Sequence, residues 1–427
     1  MRVERPDAPM SERRTALIGA LIVALGPVSL SLYSPALPML TGIFHTSMAA
    51  LSLTITVYFL GFAFAQLACG PLSDAYGRRP VAIGFYAVYL LGSLIAILAP
   101  TIGILMVGRV LQGVGVAAGI TISRAFVRDQ FTGAAAARIM NLIGLMLAIG
   151  PGISPTLGGL ILTFLGWHAI FVVMALYGVL AILVLIFWTR ETNRRPDPGA
   201  ARPARVMRNY LTLATSRRFM RPGLLLALTV GGYYTFAPLM PFVLIQRVGL
   251  SPPQFGLAMA MQSVAYGVGS VLTGRLLRRF DYAMVLALGL WMVALSGAAF
   301  AICLLCLPLC LPVVMIPSVI WAFGISLVTP GATTAALAGF PLMAGSASAL
   351  AGFLQMGGGL LGSWLASSLF ADPAVAIGLS MPIMAFLALL VQYGLRTPGE
   401  GDPQSQDEPL ERAPAPSAGP LGDARSA

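Results

Sequence analysis

The chain has 427 residues, 58% of them hydrophobic and only 10% charged, against about 25% charged in a soluble globular protein. That deficit, with apolar runs of roughly twenty residues recurring along the chain, excludes an ordinary soluble domain and predicts a polytopic helical membrane protein. The net charge of +11 does not signal a nucleic-acid partner, because there is no lysine and the arginines fall mostly in short connections between apolar runs.

Residues 1–15 form a basic tail with Arg2, Arg5, Arg13 and Arg14. Six spans are predicted over residues 16–188, at 16–36, 49–70, 80–99, 102–124, 137–163 and 167–188. Six more are predicted over residues 222–395, at 222–245, 254–276, 282–306, 309–331, 346–370 and 374–395. The first run is long for the apolar core of a cleavable leader and has no clear cleavage site, so it is expected to stay as a span. The connection 189–221 holds nine arginines against Glu191 and Asp197. Within it, Val206–Arg221 is predicted to be a surface helix turning Met207, Tyr210, Leu211 and Leu213 toward lipid. Residues 396–427, rich in Pro, Gly, Ser and acids, are expected to be disordered. Placing the N-terminus inside puts 24 of 26 arginines in inner segments, leaving Arg247 outside and Arg109 within a span. This bias predicts both termini on the cytoplasmic side.

Arg109 stands about 10 Å from the outer end of the fourth predicted span, at 1.5 Å per residue. A charge in a span faces a bundle interior or wet cavity more often than lipid. Snorkelling to the interface is the other reading, but Gln112, one turn on, lies on the same face and favours a polar cavity. No Asp or Glu falls within a predicted span: Asp74, Asp129 and Asp281 sit in inner connections and Asp372 in an outer one. Tyr33, Tyr58, Tyr233 and Tyr234, with Gln262, Tyr266 and Gln355, are candidate cavity-lining residues beside Met259, Met261 and Met356. Adaptable Met and aromatic surfaces suit apolar ligands, with plain packing as the alternative. Cys69, Cys303, Cys306 and Cys310 suit small apolar packing. With two histidines and no Gly-rich nucleotide loop, no enzyme, metal or cofactor constellation is expected.

Between the second and third spans the chain reads G-P-L-S-D-A-Y-G-R-R-P-V, from Gly70 to Val81. Gly70 and Pro71 end one run, and Pro80 suits the first turn of the next. Gly274–Asp281 follows the eighth span in the same way, keeping a glycine and arginines but no acid at the Asp74 position. The fourth span runs on to Arg124-Ala-Phe-Val-Arg128-Asp129. The fifth carries Gly150-Pro151-Gly-Ile-Ser-Pro155-Thr-Leu-Gly158-Gly159, whose prolines bend a helix and whose glycines admit a neighbour.

These stretches resemble the major facilitator superfamily. Gly70, Asp74, Gly77, Arg78 and Arg79 match its loop between helices 2 and 3. The fifth-span run resembles its antiporter motif, with Ser154 in place of a glycine. Arg124–Asp129, Tyr33-Ser-Pro35-Ala-Leu-Pro38 and Trp167-His-Ala-Ile-Phe171 resemble the bicyclomycin-resistance (Bcr/CflA) subfamily of drug:proton antiporters. Ser31 stands where that subfamily commonly has an acid.

The resemblance implies an all-α membrane protein of twelve transmembrane helices in two pseudo-symmetric six-helix halves. It implies a monomer in the lipid of a bacterial inner membrane, without a cofactor. It further implies alternating access around a midplane site and proton-coupled export of small, largely apolar, drug-like molecules. Gly70, Asp74, Gly77, Arg78 and Arg79 are then a conformational switch. Arg109, Gln112, Tyr33, Ser31 and Tyr58 serve substrate or coupling, and Arg124, Arg128 and Asp129 are inner-loop charges. A serine cannot titrate in the physiological range, so protons ride on an inner-mouth aspartate, on the substrate, or not at all. The alternatives are a proton-independent carrier of a specific metabolite, for instance an anion held by Arg109, and a membrane sensor that transports nothing.

Overall fold

The computed structural model describes residues 10–194, 196–340 and 343–395; the expected disordered tail, 396–427, lies outside the described residues. The first span is α1 (Glu12–Tyr33), continued through a tight turn at Ser34–Ala36 into α2 (Leu37–Ile43). The first half continues with α3 (Met48–Tyr76), α4 (Arg78–Ile97), α5 (Ile102–Gln130), α6 (Gly133–Leu165) and α7 (Trp167–Phe187). After α8 (Pro203–Thr215), the second half comprises α9 (Arg217–Phe236), α10 (Pro252–Leu276), α11 (Tyr282–Cys306), α12 (Leu311–Ala338), α13 (Ala344–Leu369) and α14 (Pro373–Gly394). Several helices start on side-chain caps written into the connections. Ser47 Oγ accepts from the Ala50 amide at 3.2 Å, Thr101 Oγ1 from Ile104 at 3.4 Å, and Asp372 Oδ1 from Ala374 at 2.8 Å. Each such cap satisfies an amide that would otherwise lack a partner at a helix start.

Successive spans alternate direction, so the ends of the twelve spans fall on two faces. The terminal face carries the start of α1, the end of α14, α8 and the α3–α4 junction. The far face carries the opposite ends. Among the described residues, eleven helices are long and apolar enough to cross a membrane. The twelfth span is α9, whose first turns hold Arg217, Arg218 and Arg221 and whose apolar run continues past Phe236 through an irregular stretch to Arg247. Those arginines dilute its hydropathy without shortening its path.

Two expectations are corrected here. The surface helix stops at Thr215, where Ser216 leaves helical space, and residues 217–221 open α9. Only Met207 and Leu211 face outward, 59% and 58% exposed; Leu213 is fully buried. The Tyr210 hydroxyl donates to the Leu67 carbonyl of α3 at 2.7 Å, and its burial pushes the phenol pKa well above the ordinary value. Helix α8 is therefore docked on the protein by one edge. Gly274 lies within α10 in ordinary helical space, whereas Gly77 sits alone between α3 and α4 at φ +100°. The two loops share composition but not conformation.

Both α3 and α5 have 29 residues, about 43 Å at 1.5 Å per residue, longer than the roughly 30 Å hydrocarbon layer. Their last turns carry Asp74, Arg128 and Asp129 beyond it at the terminal face. Across the halves, α3 packs on α13 and α6 on α10.

Candidate functional site

A cavity of about 220 Å³ lies between the halves. Four helices of each half line it: α1, α3, α5 and α6, and α9, α10, α12 and α13. The remaining spans, α4, α7, α11 and α14, contribute nothing to its wall. On α12 the lining runs from Ala322 through Thr329 and Thr333 to Leu337, in the last turn at the terminal face. On α3, α5, α6, α10, α12 and α13 no described lining residue comes from the far-face third, and on α1 and α9 the lining ends at Ser31 and Tyr234. At the far face the halves meet closely. Thr56 and Ser363 hydroxyls are 3.0 Å apart. A Cβ on Gly159 would run into the Pro252 carbonyl, and one on Gly256 into the backbone of Thr156. Only glycine permits these approaches. The cavity is thus shut at the far face and extends toward the terminal face.

Ser31, Tyr233, Tyr234, Gln262, Tyr266, Gln355 and Pro151 of the expected residues line this cavity. Gly150 and Pro155 lie along the same helix, and Gly158 packs on the Leu32 backbone. Their glycine and proline chemistry therefore serves the contact of α6 with α1 and α10.

Arg109, Gln112, Tyr33 and Tyr58 do not line the cavity, contrary to expectation. All four are buried at 0–1% exposure inside the first half. The Arg109 guanidinium lies between two rings, 4.7 Å from the Tyr33 centroid and 4.5 Å from that of Tyr58. Its Nη1 donates to Gln112 Oε1 at 2.7 Å, and Gln112 Nε2 donates onward to Ser93 Oγ at 2.8 Å. Nε and Nη2 have no partner. The enclosure follows from glycine packing around α5. A Cβ on Gly108 would meet the Gly92 carbonyl oxygen at 2.8 Å, so α4 and α5 touch through their backbones and close over the side chain. Cation–π contact of about 2 kcal/mol per desolvated ring offsets part of the several kcal/mol needed to bury an unpaired charge.

The terminal-face junction forms one network. Arg78, 5% exposed, pairs with Asp74. Its Nε donates to Asp129 Oδ2 at 3.0 Å and its Nη1 to Ser73 Oγ at 2.8 Å. Arg79 donates to the Leu185 and Ile186 carbonyls at 2.8 and 2.6 Å, closing the end of α7. Glu191 accepts from the Arg78 and Arg79 amides at 2.9 and 3.0 Å, capping α4 with a carboxylate where the helix dipole favours one. Thr192 donates to Asp129 Oδ2 at 3.1 Å and Asn193 to the Asp74 carbonyl at 2.9 Å. A Cβ on Gly77 would lie 2.7 Å from Glu191 Oε2, so both φ and space require glycine there. Asp74 Oδ2 faces the start of α13, 3.8 Å from where a Gly345 Cβ would be. Gly70 is buried in α3 facing α5. Arg128 lies 3.9 Å from Asp129 Oδ1 and is half exposed.

Several wall residues were missed from the sequence, Ser263, Thr329 and Thr333 among them, and two others carry the most polarity. Gln66 stands in the wall, and its signal was a lone amide in an apolar run. Arg124, expected as a loop charge, turns into the cavity instead. It is four turns from Arg109 and about 60° around the helix, since 15 residues at 100° each make 1500°.

The chain matches the model of the Major Facilitator Superfamily over residues 19–363 and 223–426. It is 30% identical over 396 residues to the uncharacterized MFS-type transporter YdgK of Bacillus subtilis (strain 168), covering 91% of this chain and 97% of that one. It is 27% identical over 390 residues to a bicyclomycin resistance protein homolog of Haemophilus influenzae, covering 90% and 98%. The xylose transporter XylE from E. coli, in a partially occluded inward open conformation, superposes with a TM-score of 0.69 at 13% identity over 92% of this chain and 99% of that one. With its two six-helix halves around one cavity, this multi-pass membrane protein belongs to the Major Facilitator Superfamily.

Proposed function

We propose that this protein exports small, largely apolar, drug-like molecules by alternating access, in a bacterial inner membrane with both termini in the cytoplasm. The observation that carries this reading is the cavity itself. It lies between the halves, shut at the far face, with Tyr233, Tyr234, Tyr266 and Met356 among its lining residues. Such a wall accepts varied apolar bodies. The similarity to a bicyclomycin resistance protein homolog supports export. On this reading the terminal face is cytoplasmic, as the arginine distribution favours, and the cavity extends toward the cytoplasm. The metabolite alternative loses its proposed anchor, because Arg109 is enclosed away from the cavity.

Asp74, Arg78 and their partners then govern switching between states. Asp74 faces the first turn of α13 across the halves, where a helix N-terminus favours a carboxylate by about 0.3–1 kcal/mol. Asp74→Asn is expected to slow transport about two- to fivefold, the rate equivalent of that energy, while equilibrium binding is unchanged. Loss of binding with normal turnover of what still binds would show that Asp74 has another role.

Proton antiport is the working mode, weakened by the absence of a carboxylate in the cavity wall. Flux of a neutral substrate in proteoliposomes, with and without an imposed pH gradient, tests function and coupling together. Wild type is expected to transport with a small response to the gradient, and Ser31→Asp to enlarge that response. No flux under any gradient would favour the sensor alternative. Strong uphill accumulation by wild type that survives Asp74→Asn and Asp129→Asn would sink this account of coupling.

A further inference from the structure

We infer that, among the molecules this cavity takes under the proposed function, the preferred class carries one anionic group beside an aromatic body, with the anion on Arg124. Arg124 is the one charged side chain among the described residues of the cavity wall. Its single hydrogen bond among the described residues is a long one, 3.4 Å from Nη1 to Ser348 Oγ, and no described carboxylate lies within ion-pair distance. The nearby acids of α3 and α5 are committed elsewhere, Asp74 to Arg78 and Asp129 to Arg78 and Arg128. A guanidinium has five donors in a planar fork and stays charged. Most of that fork is therefore open to whatever enters the cavity.

The rest of the wall has no competing anion and supplies a complementary surface. Tyr233, Tyr234 and Tyr266 come from the opposite half, so a ligand with an aromatic body and an anionic end bridges the two halves. A carboxylate, sulfonate or phosphonate would pair with the fork in two-point fashion and gain charge-assisted hydrogen bonds. A cation would meet like charge with no acid to offset it. Arg109 cannot take this role, because its guanidinium is sealed between Tyr33 and Tyr58.

The test is binding to the purified full chain in lipid nanodiscs. At about 220 Å³ the cavity is below the range of about 300–1,000 Å³ for drug-sized pockets, so the probes are small. They are 2-naphthalenesulfonate, its neutral partner 2-naphthalenesulfonamide, and 2-naphthylmethylammonium. Wild type is expected to bind the sulfonate about tenfold more tightly than the sulfonamide, as a charge-assisted pair predicts. Arg124→Gln is expected to erase that preference while leaving sulfonamide affinity within about twofold, and Arg124→Lys to restore part of it. Equal wild-type affinity for sulfonate and sulfonamide, or preference for the ammonium, overturns the inference but leaves the apolar-cavity reading intact. An Arg124→Gln loss shared equally by all three probes also overturns it, since that marks a structural role. Absence of binding by every probe overturns both readings.

Discussion

Arg109→Met is expected to give a protein that inserts and melts no lower than wild type, yet transports at least about tenfold more slowly, a barrier change of about 1.4 kcal/mol or more. Methionine's flexible thioether replaces the aliphatic stem of the arginine, and the two tyrosine rings relax into the space the guanidinium leaves between them. The substitution removes a buried charge with no carboxylate partner among the described residues and two nitrogens with nothing to donate to. It leaves Gln112 Oε1 without its donor, an opposing cost of about 1–3 kcal/mol. The two effects nearly cancel in this state. They do not cancel in a state where α1 swings away and water or ligand reaches the guanidinium, because only the arginine gains there. Methionine is therefore expected to favour the present conformation and starve the other. Thermal melting in nanodiscs and flux in proteoliposomes check the two halves of this expectation. Near-normal flux would reduce Arg109 to a packing residue.

Arg78→Met is expected to act the other way, on stability first. The guanidinium holds two carboxylates and one hydroxyl, and its removal leaves Asp74 and Asp129 facing each other without a cation between them. Breaking a fully buried pair costs about 3–5 kcal/mol. The Asp74 side chain is 38% exposed and that of Asp129 15%, so water screens part of the loss and about 2–3 kcal/mol remains. The melting temperature should fall accordingly. Adding Asp129→Asn to Arg78→Met should recover part of the loss by removing one of the stranded charges. Additive losses in the double variant would mean that the three groups do not act as a unit.

The span pattern was legible because arginines punctuate apolar runs, and the paired halves followed from the 189–221 connection, which divides the spans six and six, and from the basic loop at Gly70–Arg79 with its counterpart at Gly274–Asp281. Helical periodicity assigns a residue to a face, but it does not say what packs there. Arg109 and Gln112 were correctly put on one side of a helix, and the cage built by Tyr33 and Tyr58 depends on glycines in three other places. Arg124 was read as a loop charge because its span was ended there. In fact α5 runs on to Gln130, and the cavity reaches down the helix to meet the side chain. Glu191 caps α4 from 113 residues away in sequence, a contact no local signal announces.

The glycine contacts at the far face have a thermodynamic consequence. Where Gly159 meets Pro252 and Gly256 meets Thr156, closure is largely backbone on backbone, and glycine has no rotamers to freeze. An opened far face admits water to this seam, but what closure dries there is largely backbone rather than apolar side chain, held by dispersion and weak Cα–H···O contact. Formation of the seam therefore carries little of the heat-capacity change that accompanies burial of wetted apolar surface. The equilibrium between a shut and an open far face should vary gently from cold to warm. Steeper temperature dependence of turnover then belongs to the hydrated ion pairs at the opposite end of the molecule.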